Sequence, residues 1–462
     1  MKFLPESMEI YMTSKCNLRC EYCYISKNNS LVLHDKEIEQ CHKDLIYLNK
    51  IKELYKENKD ALTSLSLWGG EPTMGLNRIT ETFDEYVNYF PKLNRISFST
   101  NMTYGNKNIY DFLDKLSLYE NRSFLIDLQI SIDGPSEINN YNRKGYQDGV
   151  DINEIIVQNT LDLIKYFNEK NYLNVVVRQH FKPTINMDII NKFLTTEESI
   201  ISYYKYFEEI HDLFKKNNDS LNMLFQRPTL PNIAVPGEYT SQDGKDFAAF
   251  VRRCKNVEKR NQEEKLFHYY DKLIWFEEHV YFTRKMMESG EIEQCFCGAC
   301  KGQACIDSNG KLHLCHRGFL DSNDNYIEES CKKQDISVFQ QTNKEYTLSK
   351  KLTSFDFDKC INDEEYVKHL NDVRKSDGLR IASALSIIYE MALCGQVSEI
   401  FLESKKMRMV GALFMLRAEN CLQDAAMVTG SYYLKNPSLI KLYLNGVIDD
   451  IYKKDLLSGE RI

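Results

Sequence analysis

The sequence lacks any apolar run of the roughly 18 residues that a membrane-spanning helix needs. Its amino terminus also lacks the basic and then apolar pattern of a secretory signal. Long basic runs are missing, and the net charge at pH 7 is −8, so nothing indicates a nucleic-acid-binding surface. These absences predict a cytoplasmic protein with neither a membrane nor a nucleic acid as partner.

Cysteine, in contrast, is abundant, with 14 residues in a chain of 462. Cytoplasmic cysteines seldom form disulfides and are more often metal ligands or buried thiols. Three lie near the amino terminus, and five lie between Cys295 and Cys315. Outside the candidate metal sites described below, we expect ordinary buried thiols at Cys41, Cys254, Cys394 and Cys421.

The first cysteine cluster has the spacing C-x-x-x-C-x-x-C, formed by Cys16, Cys20 and Cys23. A cluster that only carries electrons is held by four protein thiolates. Three thiolates can hold three irons of a cubane cluster and leave the fourth iron open, as catalytic zinc sites keep one position open. The alternative is a zinc or structural site whose fourth ligand lies elsewhere.

Strands alternate with helices over the first half of the chain. Alternating or continuous apolar residues predict strands at 8–12, 64–68, 95–99, 125–132, 172–180 and 221–225. Helical spacing of apolar residues predicts helices at 35–55, 80–89 and 150–168. Such an order is typical of βαβ units with a parallel sheet, and we expect an α/β fold.

Several polar or glycine-containing segments directly follow predicted strands, where the chemistry of parallel barrels is found. They are Gly69-Gly70-Glu71, the pair Ser99 and Asn101, and the pair Ser131 and Asp133. Glycines let the backbone approach a ligand closely. An ordinary turn and helix caps are the alternatives. Arg178 and Gln179 are further candidates to point into the barrel.

The cysteine spacing, Tyr22 before the third cysteine and the segment 69–72 together resemble the radical S-adenosylmethionine (SAM) superfamily. This resemblance implies a partial (β/α)6 TIM-type barrel. It also implies a [4Fe–4S] cluster whose open iron binds SAM, and a 5′-deoxyadenosyl radical that removes a hydrogen atom from the substrate. The implied cofactor-binding residues are Tyr22, Gly69, Gly70, Glu71, Ser99, Asn101, Ser131, Asp133 and Arg143.

Residues 131–135 and Arg143 resemble the S-I-D-G-P…H-D-x-x-R signature of the sulfatase-maturing and peptide-modifying branch. Asn139 and Asn140 replace the His-Asp pair of that signature. The resemblance directs Arg143 towards the SAM carboxylate, which suits its planar donor fork. The alternative for this arginine is a surface ion pair.

A second cysteine-rich region resembles the auxiliary-cluster extension called SPASM or, in shorter form, twitch. Cys300, Gly310 and Cys315 fit its C-x9-15-G-x4-C element, and the residues between predict a hairpin. The rest of the full extension, C-x-x-C-x5-C-x3-C, is missing. We expect one auxiliary [4Fe–4S] cluster, leave a second open, and retain a zinc knuckle as the alternative. The candidate ligands are Cys295, Cys297, Cys300, Cys305, Cys315, Cys331 and Cys360.

His316 is the candidate catalytic base, because it follows Cys315 where the sulfatase-maturing family has an acidic residue assigned that role. The substitution itself counts against a sulfatase-maturing assignment. A surface histidine in a turn is the alternative.

We expect a radical SAM barrel over 1–232, a helical connector over 233–290, an auxiliary iron–sulfur domain over 291–375 and a helical segment over 376–462. About fifteen residues precede the first cysteine loop, so a leader-peptide-binding domain is not expected there. A separate leader-binding protein or the helical segment would then recognise a leader.

The expected function is that of a radical SAM peptide maturase, which oxidises a ribosomally made precursor peptide or crosslinks it through thioether or carbon–carbon bonds. The expected electron donor is a flavodoxin or ferredoxin. The alternatives are an anaerobic sulfatase-maturing enzyme that makes formylglycine, a twitch-type enzyme for a small molecule, and a non-catalytic iron–sulfur electron-transfer protein.

Overall fold

The computed structural model describes residues 4–23, 35–145, 149–234, 241–273, 303–306 and 312–313. Its strands are β1 (Ser7–Thr13), β2 (Leu18–Cys20), β3 (Ser64–Gly69), β4 (Arg95–Thr100), β5 (Phe124–Ile130), β6 (Arg143–Gly145), β7 (Val175–Phe181), β8 (Thr184–Asn186), β9 (Met223–Phe225), β10 (Asn232–Ala234), β11 (Gln303–Ile306) and β12 (Leu312–His313). Its helices are α1 (Asp35–Lys43), α2 (Ile46–Leu54), α3 (Leu76–Tyr89), α4 (Lys107–Ser117), α5 (Ser136–Asn142), α6 (Ile152–Lys170), α7 (Met187–Lys192), α8 (Glu197–Lys216) and α9 (Ser241–Glu264).

An eight-stranded sheet organises the described residues, in the order β12-β11-β1-β3-β4-β5-β7-β9. The six strands from β1 to β9 pair in parallel, and helices separate each from the next along the chain. This is the topology of a partial (β/α)6 barrel, so the barrel part of the predicted fold class is confirmed. All six predicted strands exist, with ends displaced by at most three residues.

The two faces of the sheet differ in composition because side chains alternate along a strand. On β5, Phe124, Ile126 and Leu128 are buried in the hydrophobic core. Phe124 contacts Phe83 of α3 edge to face, with ring centroids 5.8 Å apart. We call this helix-covered side of the sheet the outer face and the opposite side the inner face. Burial of apolar side chains at about 25 cal/mol per Å² makes the outer face the main source of stability.

The hairpin predicted near Cys315 is present, and it joins the barrel sheet. Within β11, Cys305 pairs with His313 of β12 in antiparallel register. β11 also pairs in parallel with β1, where Met8 lies opposite Ala304 and Ile10 opposite Ile306. The turn between the two hairpin strands, residues 307–310, lies outside the described residues.

The helices depart from prediction in two places. The helix predicted over 35–55 is two helices, because Leu45 adopts a left-handed conformation with φ of 56° between α1 and α2. Within the helical connector predicted over 233–290, α9 ends at Glu264 and residues 265–273 are not helical. Residues 274–287 lie outside the described part of the chain.

The predicted domain boundaries stay a prediction, since nearly all of 291–375 and all of 376–462 lie outside the described residues. Cys41 and Cys254 are buried as predicted, and Cys394 and Cys421 are not described. None of the described helices is both long enough and apolar enough to cross a membrane.

Candidate functional site

The three cysteines of the first cluster lie on the loop that leaves the carboxyl end of β1. Cys16, Cys20 and Cys23 are all partly exposed. Cys20 ends the short strand β2, which pairs with β6 in antiparallel register and lies opposite Arg143. The Cys23 amide donates to the Cys20 carbonyl at 3.1 Å, which closes a tight turn between the last two cysteines.

Asp35, the first residue of α1, fixes the start of this loop. Its carboxylate accepts a hydrogen bond from Thr13 Oγ1 at 2.5 Å and lies 3.0 Å from Lys15 Nζ. Arg78 donates to Asp35 at 2.8 Å and to the Met12 carbonyl at 2.7 Å. Burial alone would raise the pKa of Asp35, but these donors outweigh it and hold the pKa well below its usual range.

The glycines after β3 hold the loop from the other side. The amide of Gly70 donates to the Thr13 carbonyl at 2.9 Å, and the next amide, of Glu71, donates to the Lys15 carbonyl at 2.8 Å. A Cβ atom at Gly69 would lie 2.3 Å from the Thr13 oxygen, and one at Gly70 would lie 2.3 Å from the Lys15 oxygen. Glycine is required here so that the two backbones can touch.

The Glu71 side chain turns into the protein, where it is 2% exposed. It accepts hydrogen bonds from Thr73 N and Oγ1 and, at 2.7 Å, from the backbone amide of Asn101. Burial raises the pKa of Glu71 although these hydrogen bonds oppose the shift. The carboxylate therefore links the end of β3 to the end of β4, and its predicted contact with SAM stays a prediction.

Asn101 extends this connection to the first cysteine. Its Nδ2 donates to Asn17 Oδ1 at 3.0 Å and lies 3.8 Å from Cys16 Sγ. The Leu18 amide also donates to this sulfur, at 3.4 Å. N–H donors directed at a sulfur stabilise its thiolate form and tune the potential of a cluster bound to it.

Arg143 directs an N–H donor at the sulfur of the second cysteine, Cys20. Its Nη1 lies 3.9 Å from Cys20 Sγ, and its Nη2 donates to the Tyr22 hydroxyl at 2.5 Å and to Asp133 at 3.2 Å. Arg143 Nε lies 2.9 Å from Asp133 Oδ2, at an angle that gives an ion pair without a hydrogen bond. The alternative of a surface ion pair is wrong, since both charged side chains are buried.

Asp133 is the centre of this buried network and is 0% exposed. Besides Arg143, its carboxylate accepts hydrogen bonds from the Tyr22 hydroxyl at 2.7 Å and the Thr184 amide at 2.9 Å. Tyr203 of α8 donates to its carbonyl at 2.9 Å. The carboxylate is thus engaged by protein groups that orient Tyr22 and Arg143, and its predicted contact with SAM stays a prediction.

The two asparagines that replace the His-Asp pair have structural partners. Asn139 Oδ1 accepts a hydrogen bond from the Asp133 amide at 3.0 Å. Asn140 Oδ1 accepts one from the Ile152 amide at 2.9 Å, and its Nδ2 donates to Asp151, the N-cap of α6. These amides shape the segment between β5 and α6 and keep Arg143 opposite Cys20.

The cysteine loop has the properties that an iron–sulfur cluster requires. Burial raises the pKa of Cys16 to about 12 and that of Cys20 to about 11, so both are thiols until a metal displaces their protons. Among the described residues, no three His, Cys, Asp or Glu side chains converge closely enough to hold a single metal ion. Each thiolate of a cubane cluster binds a different iron.

Ser99 and Ser131 occupy the inner face near the carboxyl ends of β4 and β5. Ser99 pairs in register with Gln129, and the Ser131 amide donates to the Thr100 carbonyl at 2.9 Å. The predicted cofactor residues that are described therefore gather at one edge of the sheet, around the cysteine loop. Their individual contacts with SAM stay predictions.

Of the predicted auxiliary ligands, only Cys305 is described, and it is 0% exposed. It lies within β11 opposite Glu9 of β1. Its neighbours Ala304 and Ile306 belong to the hydrophobic core and Cys305 does not, which places it on the inner face. The other six cysteines and His316 lie outside the described residues.

Sequence reasoning missed the residues that support the site from a distance. Asp35 and Arg78 hold the start of the cysteine loop, and Tyr203 holds the loop after β5. Asp35 carried one signal, because an acidic residue that begins a helix is a common cap. Arg78 and Tyr203 carried none, since their partners are distant in sequence.

Comparison with known proteins agrees with this geometry. A sequence model of the radical SAM superfamily matches residues 10–195. The radical SAM cyclopropyl synthase TigE of Paramaledivibacter caminithermalis is 26% identical over 230 residues, which are 46% of this chain and 45% of TigE. A cysteine-type anaerobic sulfatase-maturating enzyme of Clostridium novyi is 25% identical over 334 residues, 69% of this chain and 75% of that enzyme.

A solved structure described as native anSMEcpe with bound AdoMet is 21% identical, with a TM-score of 0.42, and the comparison covers 67% of this chain and 74% of that one. The chain spans less than half of TigE and three quarters of the maturating enzyme. Because residues 10–195 include the cysteine loop and the strands that present it, this part of the chain is a radical SAM domain, and enzymes with that domain use SAM and a [4Fe–4S] cluster.

Proposed function

We propose that this enzyme is a radical SAM peptide maturase. Bound SAM and the cluster supply a 5′-deoxyadenosyl radical, the reagent that removes hydrogen from an unactivated carbon. The substrate would be a residue of a ribosomally made precursor peptide, and the product an oxidised residue or a thioether or carbon–carbon crosslink.

The observation that carries this proposal is the extent of the similarity to the sulfatase-maturating enzyme. The matched 334 residues are more than the barrel contains, so the likeness continues into the chain beyond it. That relative, by its name, modifies a protein. TigE, by its name, forms a cyclopropyl group, and a ring of that kind needs new carbon–carbon bonding. The maturating enzyme supports radical chemistry on a polypeptide, and TigE supports the formation of carbon–carbon bonds.

This chain's own residues would hold and orient the cofactors. Cys16, Cys20 and Cys23 would bind the cluster. The N–H groups of Asn101 and Arg143 would stabilise two of the thiolates, because they point at Cys16 and Cys20. The site lies at the carboxyl ends of the strands, where parallel barrels bind ligands.

We further propose that the β11–β12 hairpin carries one auxiliary [4Fe–4S] cluster at its ends. Cys300 precedes β11 by three residues and Cys315 follows β12 by two. Changing both to alanine should lower the iron content per chain while SAM cleavage partly survives. Unchanged iron content would show that the hairpin ends hold no cluster. Cys305→Ala tests the remaining candidate ligand inside the hairpin strand, and a loss of iron from this variant would identify Cys305 as a ligand as well.

Two measurements, made one after the other, test the proposed function. Reconstituted and reduced protein incubated with SAM should release 5′-deoxyadenosine, and intact SAM would exclude the enzyme and favour an electron-transfer protein. Cys16→Ala provides the inactive control. Co-expression with candidate precursor peptides should then yield a peptide with hydrogens lost in pairs, detected by mass spectrometry. Peptides of unchanged mass throughout would contradict the maturase assignment.

The second candidate is an anaerobic sulfatase-maturing enzyme that makes formylglycine. The length of the match to the maturating enzyme favours it. A peptide that contains a sulfatase active-site cysteine separates the two functions. Conversion of that cysteine to an aldehyde, trapped by a hydrazine reagent, would support the second candidate and displace the first.

Superfamily enzymes need an external reductant, and we propose a flavodoxin or ferredoxin for this one. We propose a separate leader-peptide-binding protein for recognition of the precursor. The candidate precursor and a tagged copy of the enzyme should co-purify only when such a protein is present, and direct co-purification of the two alone would remove the need for it.

A further inference from the structure

The inner face of the sheet, directly below the cysteine loop, is polar. On β4 and β5 it carries Ser97, Ser99, Asp127 and Gln129, and on β7 it carries Arg178 and His180. The sheet register places these residues side by side. Ser97 lies opposite Asp127 and Asp127 opposite Arg178 at one level, and Ser99, Gln129 and His180 are aligned at the next level.

Four of these polar side chains have no hydrogen-bond partner within the described part of the chain. They are Ser97, Ser99, Gln129 and His180, and the buried Nδ1 of His180 is one of the unpartnered atoms. Polar groups removed from water cost free energy unless they are hydrogen-bonded. The buried Nδ1 of His180 is such a group, and the partly exposed Ser97, Ser99 and Gln129 beside it are also available to a polar ligand.

The level below His180 contains an ion cluster with excess positive charge. Asp127 accepts from Arg95 Nε at 2.5 Å on one oxygen and from Arg178 Nε at 2.5 Å on the other. Two guanidinium groups against one carboxylate leave these three side chains with a net charge of +1, and the buried Glu9 at the same level of the sheet lies three strands away from Asp127, on β1. Both arginines bind Asp127 through Nε, and their terminal amino groups donate to no described residue.

Arg178 is placed to receive a ligand from the inner face. Its side chain is 30% exposed, whereas Asp127 beneath it is 9% exposed. His180 lies two residues further along the same strand and the same face, towards the cysteine loop. Burial lowers the pKa of His180 to about 4, so the ring is neutral near pH 7 and can donate one hydrogen bond.

We infer that the inner face of β4, β5 and β7 binds a carboxylate of the substrate, with the terminal amino groups of Arg178 as its main contact and His180 and Gln129 as further donors. The planar guanidinium fork matches carboxylate geometry. The assignment of this carboxylate to a residue of a peptide rests on the proposed function. The carboxylate site itself does not.

The position of the site relative to the cofactor edge limits where that residue can be. From Asp127 to Ser131 the chain advances four residues, or about 13 Å along a strand. An extended peptide covers a similar distance in about four residues. The acidic residue would therefore lie within about four positions of the residue that loses hydrogen.

The test compares two fluorescein-labelled probes, Gly-Gly-Glu-Gly-Gly and Gly-Gly-Gln-Gly-Gly. Their binding to the full chain, reconstituted with its clusters and with SAM present, is measured anaerobically by fluorescence anisotropy. We expect the glutamate peptide to bind about tenfold more tightly, the effect of one charge-assisted hydrogen bond. Arg178→Gln should reduce the ratio of the two dissociation constants to about one, and Arg178→Lys should preserve part of it.

Lys165→Gln is the matched control, because it removes one positive charge from an exposed position on α6. It should leave the ratio unchanged, and a circular dichroism melt should show that Arg178→Gln is folded. Equal binding of both peptides to the unaltered protein, or a ratio unaffected by Arg178→Gln, would overturn the inference. In that case the ion pairs of Asp127 with Arg95 and Arg178 serve only to join neighbouring strands.

A second pair of probes separates this inference from the proposed function. Glutarate should compete with the glutamate peptide, and glutaramide should not. If glutarate protects His180 from carbethoxylation but neither peptide binds, the carboxylate site stands and the peptide maturase assignment fails. If both peptides bind equally, the maturase assignment survives without the carboxylate site. If neither glutarate nor the peptides bind, the inference fails.

Discussion

Changing Asp133 to asparagine should destabilise the barrel strongly, because it leaves the buried charge of Arg143 without its counterion. The two groups approach to 2.9 Å, and at an effective dielectric constant of about 20 their gross attraction is about 6 kcal/mol. Asparagine would keep one acceptor but would direct an NH2 group at either the guanidinium or Tyr22. Removal of one partner from a buried pair typically costs about 3–5 kcal/mol, and we expect a loss of that size.

The measurement is urea unfolding of the purified chain, followed by far-ultraviolet circular dichroism. A loss of this size should lower the midpoint by about 1–2 M urea. Asp60→Asn is the control, because Asp60 is an exposed aspartate at the carboxyl end of the α2–β3 connection. It should change the free energy of unfolding by less than about 0.5 kcal/mol.

The double variant Asp133→Asn, Arg143→Met decides whether the ion pair is the cause. It removes both charges, so it should be less destabilised than the sum of the single variants by about 2 kcal/mol or more. Additive effects, or a loss below about 1 kcal/mol for Asp133→Asn alone, would refute the reasoning. The buried network would then depend on shape and not on charge.

Three further predictions concern the cysteine loop and its supports. Gly70→Ala should displace the loop and abolish most iron binding at the first cluster. Gly105→Ala is strained by its own φ of 97°, but its Cβ would meet no atom within 4 Å, so it should retain the iron measured by colorimetric assay. Burial lowers the pKa of His42 to about 4, so the unfolded state binds the proton first as the pH falls. His42 alone should therefore lower the stability by about 3 kcal/mol between pH 6.5 and pH 4, and His42→Gln should lose that part of the dependence in urea titrations at each pH, while the part due to His180 remains. Asn101→Ala removes a donor to Cys16 and should lower the reduction potential of the bound cluster, and an unchanged potential in an EPR-monitored titration would show that the contact is unimportant.

The sheet was predictable because its strands carry strong local patterns. The run from Ser64 to Trp68 alternates between faces, and the run from Phe124 to Ile130 places apolar residues on the outer face. Parallel pairing followed from the helices between strands. The cysteine loop was predictable for the same reason, since its information lies within eight consecutive residues.

Side-chain direction was less predictable than strand position. Arg178 and Gln179 were both candidates to point into the barrel, but neighbouring residues on a strand face opposite sides. Arg178 is on the inner face, and Gln179 is 1% exposed on the outer face. The prediction was right for the first and wrong for the second, because the sequence alone did not determine the phase of the alternation.

The role of the glycines shows why the rest of the site was not predictable. The pattern indicated close backbone approach, and the structure shows that the partner is the cysteine loop itself. Glu71, Asn101 and Asp133 likewise bind protein groups from other strands. Such partners are set by the packing of elements distant in sequence, which no local pattern specifies.

Because β11 pairs in parallel with β1, a truncated protein that contains only the barrel would lose the strand that covers one edge of β1. A fragment that stops before residue 303 would leave the Ser7–Ile10 side of β1 with unpaired main-chain groups. Exposed edges of that kind recruit strands from other molecules, and such a fragment should aggregate even though every catalytic cysteine is retained. The strand that launches the cysteine loop is therefore completed by a segment almost three hundred residues later in the chain.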